Sequence, residues 1–296
     1  MHYPVLNYDE PLFRPPGEAH SLILQVTIGC SWNRCAFCEM YTSKQFRVKD
    51  EADVEAEITL AARHFPDTRK IFLGDGNAMV ISTSMMLAHL ANLSKNFAKL
   101  TRVSAYASPG DLNNKTVEEL TALRQTGLKL LYVGVESGDD QVLKAVQKGE
   151  TFSTTVAGLL KAKQAGITLS VMIITGLGGK HLSDAHAFNS AKIVNEIQPE
   201  FLSTLVLSFP YGPEHFRKRF RGEFIPLNTI ELLQEQHNFI AQTILNRVIF
   251  RSDHASNYLA LKGILGRDKH DLLHLLQTTI QNPGIYKLRE EWERGL

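Results

Sequence analysis

Leu22-Ile23-Leu24-Gln25-Val26-Thr27-Ile28-Gly29-Cys30-Ser31-Trp32-Asn33-Arg34-Cys35-Ala36-Phe37-Cys38 joins a mostly aliphatic run to a loop that carries every cysteine in the chain. The run Leu22–Val26 has the character of a strand buried on both faces of a parallel sheet. Thiolates at C-x4-C-x2-C spacing on one loop suit a single metal centre, because soft sulfur ligands select iron–sulfur clusters or zinc. Structural zinc wants a fourth ligand, and only a distant histidine such as His20 or His254 could complete a Cys3His site. A [4Fe–4S] cluster on three cysteines leaves one iron open to substrate or cofactor. Ligand count therefore favours the cluster, with structural zinc and a redox-sensing thiol group as alternatives. Three cysteines confined to one loop are not a disulfide framework.

Outward from this loop, short β runs alternate with helical patterns. A helix bearing Val54, Ile58, Ala61 and Phe65 precedes a strand at Lys70–Leu73. Met86, Leu90, Leu93 and Phe97 mark the next helix, and Arg102–Tyr106 the next strand. Thr116 and Glu119 form a capping box for the helix that follows. Leu130–Gly134 is a strand leading to a helix with Val142, Leu143 and Val146. The pattern around Val156, Leu159 and Leu160 is a helix stopping at Gly166. Leu169–Ile174 and Phe201–Val206 are strands, separated by a helix carrying Phe188, Val194 and Ile197. Six strand-then-helix alternations give a parallel sheet covered by helices, either an open doubly wound sheet or a barrel.

Residues 1–20, with Pro4, Pro11, Pro15 and Pro16, are expected to form an extended surface arm, and residues 21–210 the α/β core. Residues 211–296 form an extension closing it: a loop, a helix near Asn228–Arg247, a short run Val248–Arg251 and a last helix from about Asp268. The loops after successive strands converge at one end in a parallel architecture, where such folds place their sites. They are the cysteine loop, Gly74-Asp75-Gly76-Asn77, Ala107-Ser108-Pro109-Gly110, Val135-Glu136-Ser137-Gly138, Thr175-Gly176-Leu177-Gly178-Gly179 and Ser208-Phe209-Pro210. Any one of them could be an ordinary βα turn; together they point to a common site.

The cysteine loop resembles the signature of the radical S-adenosylmethionine (SAM) superfamily, whose usual spacing is C-x3-C-x2-C. This chain has one more residue between Cys30 and Cys35, while Cys35-Ala36-Phe37-Cys38 matches closely, Phe37 included. The resemblance, nearest to the oxygen-independent coproporphyrinogen oxidase and methylthiotransferase branches, covers about residues 20–210. It implies a partial (β/α)6 TIM-like barrel with a mainly helical C-terminal extension, and a [4Fe–4S] cluster on Cys30, Cys35 and Cys38. Gly74, Asp75 and Gly76 stand where the family receives the amino group of SAM. Glu136, with Lys148 beyond it, resembles a segment contacting SAM ribose and carboxylate, and Gly176 and Leu177 one bordering the adenine. Phe37 and Ser108 complete the cofactor-binding set expected from these loops.

In such proteins the amino and carboxylate groups of SAM chelate the open iron, the reduced cluster passes one electron to the sulfonium, and methionine and a 5′-deoxyadenosyl radical result. The resemblance thus implies an oxygen-sensitive enzyme taking hydrogen from a small-molecule substrate, with flavodoxin or ferredoxin as electron donor. A non-catalytic chaperone that keeps cluster and SAM is the alternative on the same fold. There are no cysteines for an auxiliary cluster or a methyl carrier, and Glu39 stands where coproporphyrinogen oxidases carry another cysteine. The first twenty residues are too few for a cobalamin-binding domain. Asp253, His254 and Asn257 are the candidate catalytic residues: His254 as hydrogen-bonding group, acid or base, oriented by Asp253 or Asn257. Equally, Asp253 and Ser256 could cap a following helix.

Basic and acidic side chains number 32 and 31, a formal net charge of +1 that calls for neither nucleic acid nor an anionic membrane. The run Arg217-Lys218-Arg219-Phe220-Arg221 is the local exception, most simply a solvated loop. With no signal-like start and no long apolar span, the cytoplasm is the expected compartment.

Overall fold

A computed structural model describes residues 5–294. Among the described residues ten strands occur in chain order: β1 (Leu22–Gln25), β2 (Thr27–Ile28), β3 (Arg47–Val48), β4 (Lys70–Gly74), β5 (Arg102–Ala107), β6 (Leu128–Glu136), β7 (Thr168–Thr175), β8 (Phe201–Val206), β9 (Val248–Ser252) and β10 (Leu261–Leu265). The helices are α1 (Glu51–His64), α2 (Thr83–Asn96), α3 (Pro109–Asn113), α4 (Val117–Thr126), α5 (Asp140–Ala145), α6 (Phe152–Gln164), α7 (Gly179–Ile197), α8 (Pro213–Arg219), α9 (Thr229–Gln242) and α10 (Lys269–Gln281). Eight strands make one sheet in the order β1-β4-β5-β6-β7-β8-β9-β10. β1, β4, β5 and β6 pair in parallel, as do β7, β8 and β9, whereas β10 is antiparallel to β9. The α/β class expected from the alternation is the class observed.

The chain divides into two compact units, with residues of β6 and β7 assigned to both. The first takes in the chain to Asn33, Cys38–Val133 and Ala157–Leu169. All four residues of β1 are buried, as a parallel strand covered on both faces requires. Asp50 caps α1 by accepting from Ala52 N–H, and Val54, Ile58 and Ala61 form its buried stripe. Ser82 caps α2, whose Met86, Leu90 and Leu93 are buried alongside Phe97. Each such side chain contributes about 1.5–3 kcal/mol on burial. The Thr116–Glu119 capping box forms with both hydrogen bonds, at 2.8 and 3.2 Å.

The N-terminal segment does more than lie on the surface. Tyr8 donates to the Ile23 carbonyl, and Asp9 exchanges two bonds with the Gln25 side chain. Glu18 is wholly buried, accepting from Ser21, Arg102 and Tyr132. A Cβ at Gly17 would come within 2.9 Å of the Tyr132 hydroxyl, so the close approach needs glycine there.

The second unit comprises Arg34–Phe37, Gly134–Val156 and Ser170–Leu296. Ala36, Val142, Val146, Leu177, Leu207, Phe216, Phe220 and Phe224 pack into one apolar cluster, with Phe37 against it. Several expectations change here. Arg217–Arg219 ends the helix α8, and Phe220 is buried. α9 stops at Gln242, short of Arg247, because the Asn195 amide donates to the Gln242 carbonyl and its oxygen accepts from Ile244 N–H. Lys269 donates to the Ala241 and Thr243 carbonyls at the same end. Phe188 is 55% exposed, because the buried face of α7 is given to His186, Ala187, Ser190 and Ala191. In the first unit Leu160, on α6, is also exposed. The short run at Val248 is a full sheet strand, and β10 extends the sheet where a helical stretch was expected.

Candidate functional site: cysteine loop and buried carboxylates

In the first unit, β2 runs straight into Gly29, whose φ of +73° turns the chain into Cys30. The end of β4 lies directly against this turn. Gly76 N–H donates to the Gly29 carbonyl at 3.0 Å, and a Cβ on Gly76 would sit 2.8 Å from Cys30 Cβ and 2.9 Å from Tyr41 Cε2. Only glycine permits that contact. Asn77 accepts from Ser31 N–H at 3.1 Å and donates to the Ser31 hydroxyl at 2.6 Å and to Asp111 at 3.2 Å. Ser108 caps α3 in a capping box with Asp111, so its hydroxyl is committed to the backbone.

Asp75 is wholly buried. Its Oδ2 accepts from Lys44 Nζ at 2.7 Å, Gly29 N–H at 3.1 Å and Gln25 Nε2 at 3.3 Å. Its Oδ1 has no hydrogen-bond partner among the described residues. Burial pushes the carboxyl upward, opposed by the hydrogen bond and charge of Lys44 and the Gly29 amide. Sequence reading missed Lys44: a lysine six residues beyond Cys38 gave no signal, yet its side chain is 2% exposed.

In the second unit, Ala36 N–H donates to the Val146 carbonyl and Arg219 to the Cys35 carbonyl, both at 2.8 Å. Gln147 binds the Arg219 carbonyl, and Arg221 donates to the Ala145 carbonyl and to Gln147. The basic run is thus part of the support of the cysteine loop. Glu136 ends β6 at φ +65°, with its carboxylate folded over Gly134, where a Cβ would lie 1.9 Å from Oε1. That oxygen accepts from Lys148 Nζ at 3.4 Å, and Oε2 has no partner among the described residues. Burial raises the carboxyl, against the attraction of Lys148. Lys148 Nζ also stands 5.9 Å from the Phe37 ring centroid.

Behind Glu136 lies a buried network with no counterpart in the sequence reading. Ser137 meets His186 Nδ1 at 2.8 Å, and the ring's Nε2 meets the Ile174 carbonyl at 3.0 Å. The carbonyl can only accept, so Nε2 carries a proton and, in the neutral ring, Nδ1 accepts from Ser137. Glu235 accepts from Gly176 N–H and from Ser183, each at 2.6 Å. Ser190 accepts from Gly138 N–H at 3.0 Å, so His186 and Ser190 hold the loop after β6 while His186 and Glu235 hold the end of β7 and the loop after it. Gly176 has φ +85°, and a Cβ there would strike Leu232. Leu177 is wholly buried in the apolar cluster.

Asp253, His254 and Asn257 lie in the β9–β10 connection. No helix follows for Asp253 and Ser256 to cap. His254 Nδ1 accepts from Ser256 N–H at 3.1 Å, and burial, with Arg289, lowers its pKa against the pull of Asp253. Asn257 is buried; its side-chain amide donates to the Thr204 carbonyl at 3.0 Å, and its backbone N–H to the His254 carbonyl, also at 3.0 Å, so its side chain does not orient the imidazole. The exposed Asp253 makes no described side-chain hydrogen bond to His254; its carbonyl, like those of His254 and Asn257, accepts from Arg289. The segment is held by the tail rather than arranged around the imidazole.

The three cysteines are partly exposed and in no disulfide. Among the described residues, no three His, Cys, Asp or Glu side chains are gathered closely enough to hold one metal ion.

Residues 24–190, more than half of the chain, match the Radical SAM superfamily. A Methanocaldococcus jannaschii protein named as a methylthiotransferase is 24% identical over 77% of this chain and 55% of its own length. The heme chaperone HemW of Bacillus subtilis is 23% identical over 53% of this chain and 43% of its own. The chain thus spans about half the length of these curated relatives. Coproporphyrinogen III oxidase (HemN) of Escherichia coli, a solved radical SAM structure, superposes with a TM-score of 0.57 at 20% identity, over 75% of this chain and 52% of that one. The likeness is one of fold, the partial barrel with its mainly parallel sheet and surrounding helices. On the match over residues 24–190, the chain belongs to the radical SAM superfamily, whose cofactors are a [4Fe–4S] cluster and S-adenosylmethionine.

Proposed function

We propose that the protein is a radical SAM enzyme acting on a small-molecule substrate, with Cys30, Cys35 and Cys38 as ligands of its [4Fe–4S] cluster. The observation that carries the reading is the cysteine loop itself. Its backbone is held by Gly76, Asn77 and Arg219, while its three thiols are left out of any disulfide. Soft thiolates on a fixed loop fit an iron–sulfur centre, and in each unit a buried oxygen without a partner among the described residues, on Asp75 and on Glu136, fits a polar group of a cofactor.

Bound there, cluster and SAM supply the electron transfer and S–C5′ cleavage that the protein side chains cannot perform. The chain's part is to bind and orient. Asp75 Oδ1 is the acceptor for the SAM amino group, with Oδ2 anchored on Lys44. Glu136 and Lys148 take the ribose and carboxylate, and Phe37 lies beside them. Gly74 and Gly76 give close backbone approach. The Gly176–Leu177 turn borders the adenine through its backbone, Leu177's side chain being in the core. Ser108 contributes by fixing the start of α3. His254, neutral and partly buried, is the candidate for substrate contact, with Asp253 and Asn257 shaping its loop. The donor is a one-electron carrier such as flavodoxin or ferredoxin, and the compartment the cytoplasm.

The likeness to HemW favours one second reading, a chaperone that keeps cluster and SAM without turnover. Anaerobic reconstitution with iron and sulfide tests the ligand assignment. Wild type is expected to take up about four irons and four sulfides per chain, with the EPR signal of a reduced cluster, and each Cys→Ala variant to lose it. Stoichiometric zinc, or variants that bind iron like wild type, would refute the assignment.

A further inference from the structure

Tyr41 stands three residues beyond Cys38 and is 4% exposed. Its position is fixed from several directions. Its carbonyl accepts from Asn33 Nδ2 at 2.9 Å and from Lys44 N–H at 3.1 Å. The Phe13 ring meets it edge-on, with centroids 5.4 Å apart, and Lys44 Nζ is 5.9 Å from its centroid. The ring edge and Cys30 Cβ lie within 2.9 and 2.8 Å of the point a Gly76 Cβ would occupy. Yet the phenolic oxygen has no hydrogen-bond partner among the described residues. A phenylalanine would fill the same volume without stranding a buried hydroxyl, an arrangement native proteins avoid.

We infer that Tyr41 donates its phenolic hydrogen to a sulfur of the iron–sulfur cluster and thereby sets the cluster's reduction potential. The inference rests on the cysteine ligation proposed above. Reduction adds negative charge that is shared by the cluster sulfurs, so a donor at sulfur favours the reduced state. Tyr41 is a positioning and tuning residue: it holds a proton at sulfur and transfers none.

The test is Tyr41→Phe, reconstituted anaerobically without SAM and titrated electrochemically under EPR. The expected result is the iron and sulfide content of wild type, a midpoint potential more negative than wild type, and an apo-protein melting no lower. A purely structural role would lower the melting temperature and leave the potential in place. Equal cluster content with an unchanged potential overturns the inference. So does an unchanged potential with at least tenfold weaker SAM binding, which would assign the hydroxyl to SAM. ENDOR on the reduced wild type adds a measurement needing no variant: a solvent-exchangeable coupled proton is expected, and its absence overturns the inference. A wild type that takes up no cluster refutes the ligation beneath it, an outcome distinct from the others.

Discussion

Asp75 and Glu136 are both buried, both raised by burial, and both left with one oxygen unpartnered among the described residues, but their support differs. Asp75 is held by an ammonium, an amide N–H and a glutamine, whereas Glu136 is met by Lys148 at 3.4 Å. Removing the ammonium with Lys44→Met strands the Asp75 carboxylate and is expected to cost about 3–5 kcal/mol in denaturant unfolding of the apo-protein. Wild-type stability would mean that the ion pair carries nothing. Glu136 gives a pH prediction. Its folded pKa lies above the unfolded one, so its contribution to stability is complete below the unfolded value and is lost as pH rises through the folded value. Glu136→Gln cannot ionise, so apo-protein melting temperatures should shift progressively in the variant's favour as pH rises above the ordinary glutamate value of about 4.3. The same variant should weaken SAM binding at least about tenfold, one lost charged hydrogen bond. Equal SAM affinity in variant and wild type would remove Glu136 from the binding set. The glycines and acids of these loops were legible because turn chemistry leaves a sequence signal; Lys44 and His186 were not, because their partners Asp75 and Ser137 are distant in the chain, and Tyr41 was not, because sequence does not show that its hydroxyl is buried without a partner among the described residues.

At the scale of elements, the network around His186 joins α7 to the loops after β6 and β7. His186→Ala leaves the Ile174 carbonyl and the Ser137 hydroxyl without their partner, at about 1–3 kcal/mol for each group. Its melting temperature should therefore fall well below that of Phe188→Ala, where a side chain 55% exposed is removed from the same helix. Comparable losses would show that the network is slack. α8 makes a separate case. Arg219 is its contact with the Cys35 carbonyl, so Arg219→Ala should shorten the half-life of cluster iron under a chelator while leaving the melting temperature within a few degrees. An unchanged half-life would detach α8 from the cysteine loop. Caps and stripes of α1, α2 and α4 were readable because they depend on neighbours within a turn. The early end of α9 was not, since Asn195 and Lys269 impose it from other helices. β10 escaped for the same reason: its signal is pairing with β9, which a five-residue run does not announce.

Over the whole molecule, the strand–helix alternation from Leu22 to Val206 was visible in the sequence, because parallel strands buried on both faces must be aliphatic runs and their loops must turn. The substrate side was far less visible. Asp253, His254 and Asn257 are neighbours in sequence whose side chains point to different partners, and the β9–β10 connection that holds them is clamped by Arg289 and Arg294 from the C-terminal tail. Among the described residues no helix is long and apolar enough to cross a membrane. Cleavage of SAM by a cluster on Cys30, Cys35 and Cys38 is the proposed reaction. Reconstituted protein, reduced anaerobically with SAM, should release 5′-deoxyadenosine and methionine together, and Cys30→Ala, Cys35→Ala and Cys38→Ala should release neither. A wild type that holds its cluster and binds SAM yet yields no 5′-deoxyadenosine with any reductant would rule that reaction out.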